Sequence, residues 1–254
     1  MKKLQTLLLS SSLIALTACA GQTYRADVGA MFPVVGGDIA LQNSAGTGSL
    51  GGSQNDLKSE MGLGDSEVSP YVRLQMDDGK SRFRVHGFGI DAEGSGTLVG
   101  DFGDIAAGSV VKTSMEYFNV TAAWGYEVLR NKSYRVAVGA QLGFYLLDIA
   151  AVSAAGRESV DTTVLVPMPF AEAEWLWKDF AIGANGGFMS ADLGDAAGIY
   201  WDLEGYVRWQ AAEQFDVLVG YRNIRMDAYG SASSRDFDAD LDIQGIFISG
   251  GVRF

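Results

Sequence analysis

The sequence is poor in the residues on which most metal-binding and catalytic sites depend. Its 254 residues include one cysteine, one histidine and four prolines. A single cysteine excludes a disulfide-stabilised scaffold and a cysteine zinc site, and a single histidine excludes a histidine-rich metal site. Acidic residues outnumber basic ones by 31 to 19, which gives a net charge of −12. Nucleic acid is therefore not an expected partner, because binding it needs a basic surface.

Long apolar runs are also missing, although 48% of the residues are hydrophobic. None reaches the roughly 18 residues that a membrane helix needs. Lys2 and Lys3 precede a short apolar segment, 7–16, which predicts a secretory signal peptide over residues 1–20. Two cleavage interpretations stay open. Residues 16–19 resemble a bacterial lipobox, which would leave a lipidated Cys19, whereas Ala18-Cys19-Ala20 fits ordinary signal peptidase, which would discard it. Either interpretation exports the protein.

The rest of the chain alternates strictly between apolar and small or polar residues over stretches of about ten. The clearest stretches run from Phe118 to Val128 and from Tyr134 to Leu146, on either side of a polar turn. Because successive side chains of a strand point to opposite faces, each stretch has one continuous apolar face. Ten strands are predicted, at 24–41, 66–77, 81–95, 108–128, 133–151, 160–177, 179–192, 198–211, 214–229 and 238–254.

Connection lengths and aromatic positions indicate that the apolar face points outward. A soluble sandwich would bury that face. Here short and long connections alternate along the chain, as they do in outer-membrane barrels. The aromatic residues on the apolar face also cluster at two levels, which is typical of interfacial girdles. Near the short turns lie Phe83, Trp124, Tyr126, Tyr134, Trp175, Trp177, Phe180, Trp209, Phe215 and Phe254, and eight to ten residues away lie Phe32, Phe118, Phe144, Phe188 and Trp201.

The final residues carry the most specific pattern. Ile246, Ile248, Gly250, Val252 and Phe254 occupy alternate positions. This resembles the C-terminal signature of bacterial outer-membrane β-barrels. The resemblance implies a Gram-negative outer-membrane location, contact with outer-membrane lipids and lipopolysaccharide, and recognition of Ile248, Val252 and Phe254 by the barrel-assembly machinery.

The expected fold is all-β, a closed antiparallel transmembrane β-barrel of about ten strands, with eight or twelve also open. Residues 21–254 would form it as a single domain. A spanning sheet must close, because lipid cannot satisfy the backbone groups of a free edge.

The residues that alternate with the apolar face point into the lumen, and they include charges of both signs in neighbouring strands. We expect them to fill the lumen as a network of ion pairs, as a small barrel needs. The alternative is a narrow polar pore. The predicted network residues are Arg73, Arg84, His86, Arg135, Glu172, Glu174, Asp202, Glu204, Arg208 and Arg222, with Arg25, Asp27, Arg82 and Asp216 on the same parity.

His86 is the one residue that could support histidine catalysis. The sequence around it matches neither the paired aspartates with Asp-His of omptin proteases nor the His-x-Ser of lipid A deacylase barrels, because Phe88 stands two residues on. Its place early in a strand puts it deep in the lumen. A structural histidine is expected, with no enzymatic activity and no cofactor.

Two further features suggest sites at the outer rim. Pro167 and Pro169 are two residues apart, so their missing N–H groups face the same neighbouring strand. Either pairing has simply ended there, or a lateral gap admits a lipid chain. Asp236, Asp238 and Asp240 share one strand face and are weak candidates for a Ca²⁺ or Mg²⁺ site, against the simpler interpretation of a solvated acidic rim.

These features favour a structural or envelope-integrity barrel without enzymatic activity. Two alternatives remain open: a narrow porin-like channel for small solutes, and a lipid-modifying enzyme with lateral lipid access near Pro167 and Pro169.

Overall fold

The computed structural model describes residues 22–46, 50, 54–64, 67–192, 197–232 and 235–254. The predicted signal peptide and Cys19 lie outside the described residues. Within them, no helix is long and apolar enough to cross a membrane.

The described chain folds almost entirely into strands, ten of them long. The predicted segments match these ten to within a few residues at each end. In chain order the strands are β1 (Gln22–Leu41), β2 (Asn55–Asp56), β3 (Ser69–Asp78), β4 (Ser81–Thr97), β5 (Val110–Arg130), β6 (Tyr134–Val152), β7 (Arg157–Trp177), β8 (Phe180–Asp192), β9 (Ala197–Gln210), β10 (Phe215–Ala232) and β11 (Arg235–Arg253).

The long strands form one closed ring. Each pairs antiparallel with the next long strand in the chain, and β11 closes on β1 from Arg25–Arg253 to Leu41–Phe237. The two-residue β2 pairs with β1 beyond the point where β3 ends. The prediction of a closed, antiparallel, ten-stranded barrel is confirmed.

One end of the barrel has only short connections, of two to four residues: 79–80, 131–133, 178–179 and 211–214. Gly79 and Lys178 begin two-residue turns with positive φ, 58° and 51°, as tight hairpins require. At the same end the first and last strands meet, where the Tyr24 N–H donates to the Phe254 carbonyl oxygen at 2.9 Å. The two longest connections, 42–68 and 98–109, emerge at the opposite end, together with three of two to four residues.

The two ends differ in which face is apolar. Along β10, Phe215, Val219 and Tyr221 are exposed on the outside, but farther along the strand Ile224 and Met226 are buried inside. The same exchange occurs in β11 and β5. We call the part with the apolar exterior, which ends in the turns 79–80 and 178–179, the belt half. The part with the apolar interior and the two longest loops is the outer half.

Two loops fill the outer half. Leu57, Met61 and Leu63 from one loop and Phe102 and Ile105 from the other are fully or almost fully buried in its core. The first loop, 54–64, also replaces missing wall, because β3 stops where β1 and β4 continue.

Glycines allow the backbone of loop 54–64 to lie directly against the backbone of β4. A Cβ on Gly62 would overlap the Ser95 backbone, and one on Gly96 would overlap the Glu60 carbonyl. The loop therefore seals the wall beside β4.

Candidate functional sites: the lumen and the β7–β8 opening

Aromatic rings surround the belt half near the short turns. Trp175, Trp177, Phe180 and Trp209 form a continuous exterior stack with centroid separations of 6.4, 6.2 and 6.4 Å. All the residues predicted for the two girdles are exposed on the outer wall. Amphipathic and aromatic rings settle at membrane interfaces, so this wall has the surface of a lipid-facing barrel.

Inside the belt half, three arginines meet two glutamates from β7. Arg84 Nη2 lies 2.5 Å from Glu172 Oε2, and Arg135 Nη2 lies 3.2 Å from Glu172 Oε1. Arg82 pairs with both Glu172 and Glu174, and Arg135 also pairs with Glu174. This layer brings charges from β4, β6 and β7 together across the lumen.

A second layer lies farther from the turns. Arg73 Nη2 is 2.5 Å from Glu204 Oε1, with both side chains fully or almost fully buried. Arg222 donates two hydrogen bonds to the Asp202 carboxylate, from Nε to Oδ1 at 2.8 Å and from Nη2 to Oδ2 at 2.6 Å. Thr121 adds a hydroxyl to the same group, accepting from Arg222 at 3.0 Å. Bidentate pairs of this kind fix geometry as well as charge.

His86 sits between these groups. Its Nδ1 is 3.5 Å from Glu204 Oε2, and its ring meets Tyr71 edge-on at a centroid distance of 6.5 Å. Arg208 lies over the Tyr206 ring at 5.5 Å, with its Nη1 3.7 Å from Glu174 Oε1. The structure thus brings all ten predicted network residues into one buried lumen cluster.

The barrel wall is interrupted between β7 and β8. The two strands pair only from Phe170–Gly187 to Trp177–Phe180. Beyond that point β7 continues alongside β6, and β8 alongside β9. No described strand pairs with the facing edges, 157–169 of β7 and 188–191 of β8. We call this gap the β7–β8 opening.

The two prolines lie where the pairing ends. The Leu176 N–H donates towards β6, to the Ser133 carbonyl oxygen, so odd-numbered residues of β7 direct their N–H groups to β8. Pro167 and Pro169 occupy two of these positions and have no N–H. The strand therefore lacks two successive donors immediately beyond Phe170.

Behind the opening lies an apolar chamber of about 310 Å³. Its wall includes residues from six strands, β6 to β11. We call it the chamber, and its main lining residues are Val164, Val166, Met189, Tyr200, Met226, Ala228, Ala239 and Leu241. A volume of this size lies at the lower end of the range for ligand pockets.

The three candidate metal ligands lie on the exterior of the outer half. Asp240 Oδ2 pairs with Arg225 Nη2 at 2.7 Å, Asp236 accepts from the Ser231 hydroxyl at 2.6 Å, and Asp238 accepts from Gln54 at 3.3 Å. The described residues contain no cluster of three His, Cys, Asp or Glu side chains arranged to hold a metal ion.

Ile248, Val252 and Phe254, the predicted assembly signal, all point outward on the lipid-facing wall. Their recognition by assembly machinery stays a prediction.

The sequence interpretation missed the apolar core of the outer half. It expected charged residues to fill the lumen and did not expect an apolar interior. In the outer half of β11 the interior positions are apolar, with Leu241 and Ile243 buried, while Asp238, Asp240 and Asp242 share the exterior face as the acidic-rim interpretation expected. The sequence does contain a sign of this apolar interior. In β11 the apolar residues occupy even positions from Ile246 onward but odd positions up to Ile243.

Comparison with known proteins shows a shared fold. No protein-family model and no curated protein matches the chain. Among solved structures, the outer membrane protease OmpT from Escherichia coli aligns with 92% of this chain and 97% of its own, at 10% identity and a TM-score of 0.55. The translocator domain of the autotransporter NalP from Neisseria meningitidis aligns with 94% and 90%, at 12% identity and a TM-score of 0.40. The OmpT likeness is one of fold. It agrees with the predicted location in the outer membrane.

Proposed function

We propose that the protein is a non-conducting barrel of the Gram-negative outer membrane with a structural role in the envelope. The observation that carries this proposal is the ion-pair network across the belt half. Arg73 and Arg222 are fully buried, and each reaches a carboxylate on β9. Large side chains paired across the lumen leave little room for a solute path.

The outer half supports the same proposal independently. Loops 54–64 and 98–105 place apolar side chains inside it, and Phe102 and Met61 are fully buried. A solute would therefore meet two closures in series, one apolar and one ionic.

Catalysis is not part of the proposal. His86 is buried between Glu204 and Tyr71, at the level of the ion pairs and far from the long loops. The nearby groups hold its ring in place by packing and charge, which suits a structural histidine.

Single-channel recording in planar lipid bilayers tests the closure. The reconstituted protein should give no conductance steps above those of empty bilayers, while heat-shifted mobility on gels confirms that it is folded. Reproducible steps would favour the narrow channel instead.

The envelope role is tested in cells that lack the protein. We expect greater sensitivity to detergents and bulky antibiotics, restored by the wild-type chain. Unchanged sensitivity would reject the structural role, and a changed lipid A mass spectrum would favour the lipid-modifying alternative.

A further inference from the structure

Strand pairing in the barrel wall ends early at two places, and the described residues close only one of these two gaps. Where β3 ends early, loop 54–64 packs against β4 and closes the gap. At the β7–β8 opening no described segment takes the corresponding place. The continuing register would set Pro169 opposite Phe188 and Pro167 opposite Ser190, but these pairs do not form.

The opening lies at the upper edge of the lipid-facing wall. On β7 the outward residues are apolar up to Leu165, which is 60% exposed, and polar from Thr163 onward. On β8 the corresponding change falls between Phe188 and Ser190. The gap therefore straddles the boundary between hydrocarbon and lipid headgroups.

A shallow exterior groove leads to the opening from below. Its floor consists of small residues on the outer face of β7 and β8, Ala171, Ala173, Ala184 and Gly186. Pro169 and Phe188 form its upper end, and these two residues also border the opening. The groove and the opening thus connect the lipid-facing wall with the interior.

The chamber behind the opening suits hydrocarbon. Val166, Met226 and Leu241 line it and are at most 4% exposed, and Met189 and Ala228 pack against the same core. No charged side chain is among its lining residues. An apolar cavity of this kind favours an apolar ligand over water.

We propose that the chamber binds an acyl chain of an outer-leaflet membrane lipid, which enters sideways through the β7–β8 opening while its headgroup stays at the rim. The position of the opening selects this occupant, because hydrocarbon is the medium that meets the exterior groove. The proposal rests on the membrane insertion proposed above, but it does not depend on the structural role or on any chemistry.

Photo-crosslinking in lipid nanodiscs tests it. The probe is a phosphatidylethanolamine with a diazirine at the end of one acyl chain, and labelled residues are mapped by mass spectrometry. We expect labelling of Met189 and Met226 in the chamber in addition to Val138 and Leu142 on the exterior. Labelling of exterior residues alone would overturn the proposal, and no labelling at all would overturn membrane insertion.

Two variants test separately whether the acyl chain enters through the β7–β8 opening and whether it occupies the chamber. Pro167→Val with Pro169→Val restores the missing donors, so β7 and β8 can pair further and labelling of the chamber should fall at least tenfold. Pro70→Val, an outward proline on β3, is the matched control and should leave labelling unchanged.

Ala228→Phe fills the chamber without touching the strand edges. It should abolish chamber labelling even if the proline variant fails to extend the ladder, as judged by amide exchange at 163–169. Unchanged chamber labelling in Ala228→Phe would reject the site. A parallel experiment with a diazirine fatty acid identifies the source, since labelling by the free acid alone would exclude a membrane lipid.

Discussion

Buried charges in the belt half stabilise the barrel only as pairs. Taking a charge out of water is costly, and the attraction of a close, hydrogen-bonded partner offsets that cost. Arg222 and Asp202 meet this condition with two bonds between fully or almost fully buried side chains. The exterior pair of Arg225 and Asp240 has similar geometry but is partly exposed.

The two pairs should respond differently to loss of the arginine. Arg222→Ala leaves Asp202 buried and without its cation, and should lower the free energy of unfolding by about 3–5 kcal/mol. Arg225→Ala is the matched control and should cost about 0–1 kcal/mol, because water screens the exposed pair. Urea unfolding followed by tryptophan fluorescence measures both, and equal losses would contradict the distinction.

The pH should affect the stability of loop 54–64 through two aspartates, Asp38 and Asp56, whose pKa values are shifted in opposite directions. Burial raises the pKa of Asp38 above its ordinary 3.8, and the nearby Asp56, Asp240 and Glu60 add repulsion. Its contribution to stability is therefore full below pH 3.8 and is lost as the pH rises through the raised pKa. Burial acts the same way on Asp56, but hydrogen bonds from Ser59 and Lys58 outweigh it and lower the pKa of Asp56.

The contribution of Asp56 is consequently full above pH 3.8 and is lost as the pH falls through its lowered pKa. Amide protection at 57–63, corrected for intrinsic exchange rates, should pass through a maximum in mildly acidic solution. Asp38→Asn should remove the decline towards neutral pH, and Asp56→Asn the decline in acid. A profile that rises steadily to pH 7 would refute this assignment.

At the scale of strands and loops, the alternation of side chains predicts the fold well. β10 and β11 were recognisable because Phe215 to Tyr221 and Ile246 to Phe254 keep one apolar parity. The change of parity farther along each strand was not used, so the apolar outer half and the inward packing of Leu57 and Phe102 were missed. Long-range packing of loops leaves no periodic signal, so Leu57 and Phe102 could not be placed. The chamber depends on where the pairing of β7 with β8 ends, and the alternation of side chains does not encode that point.

The seal formed by loop 54–64 depends on close backbone contact. Gly96→Val would place a side chain where the Glu60 carbonyl lies, so the loop should leave β4. We expect faster amide exchange and protease cleavage at 57–63 with the barrel intact. Gly89→Val, in the same strand, meets Tyr117 and Phe118 only at ordinary contact distance and should have no effect. Equal cleavage in both variants would show that the contact is unimportant.

For the whole molecule, the two closures should act in series. Replacing loop 54–64 by a short Gly-Ser linker removes that loop's part of the apolar closure but leaves the ion pairs, so the barrel should still not conduct. In a Cys19→Ser background, Met115→Cys in the outer half should become reactive to an impermeant maleimide only after the loop is removed. Thr121→Cys, six residues along β5 among the ion pairs, should stay unreactive. Reaction of Thr121→Cys would show that the belt half is open.

The β7–β8 opening also has a mechanical consequence. A ring with a notch concentrates stress at the root of the notch, and here the root is the Phe170–Gly187 pair. Under a lateral load the hydrogen bonds between β7 and β8 should break in sequence, starting at that pair and ending at Trp177 and Phe180. Because β11 stays paired with β1, the barrel would then open at this seam into one curved sheet with β7 and β8 as its two edges.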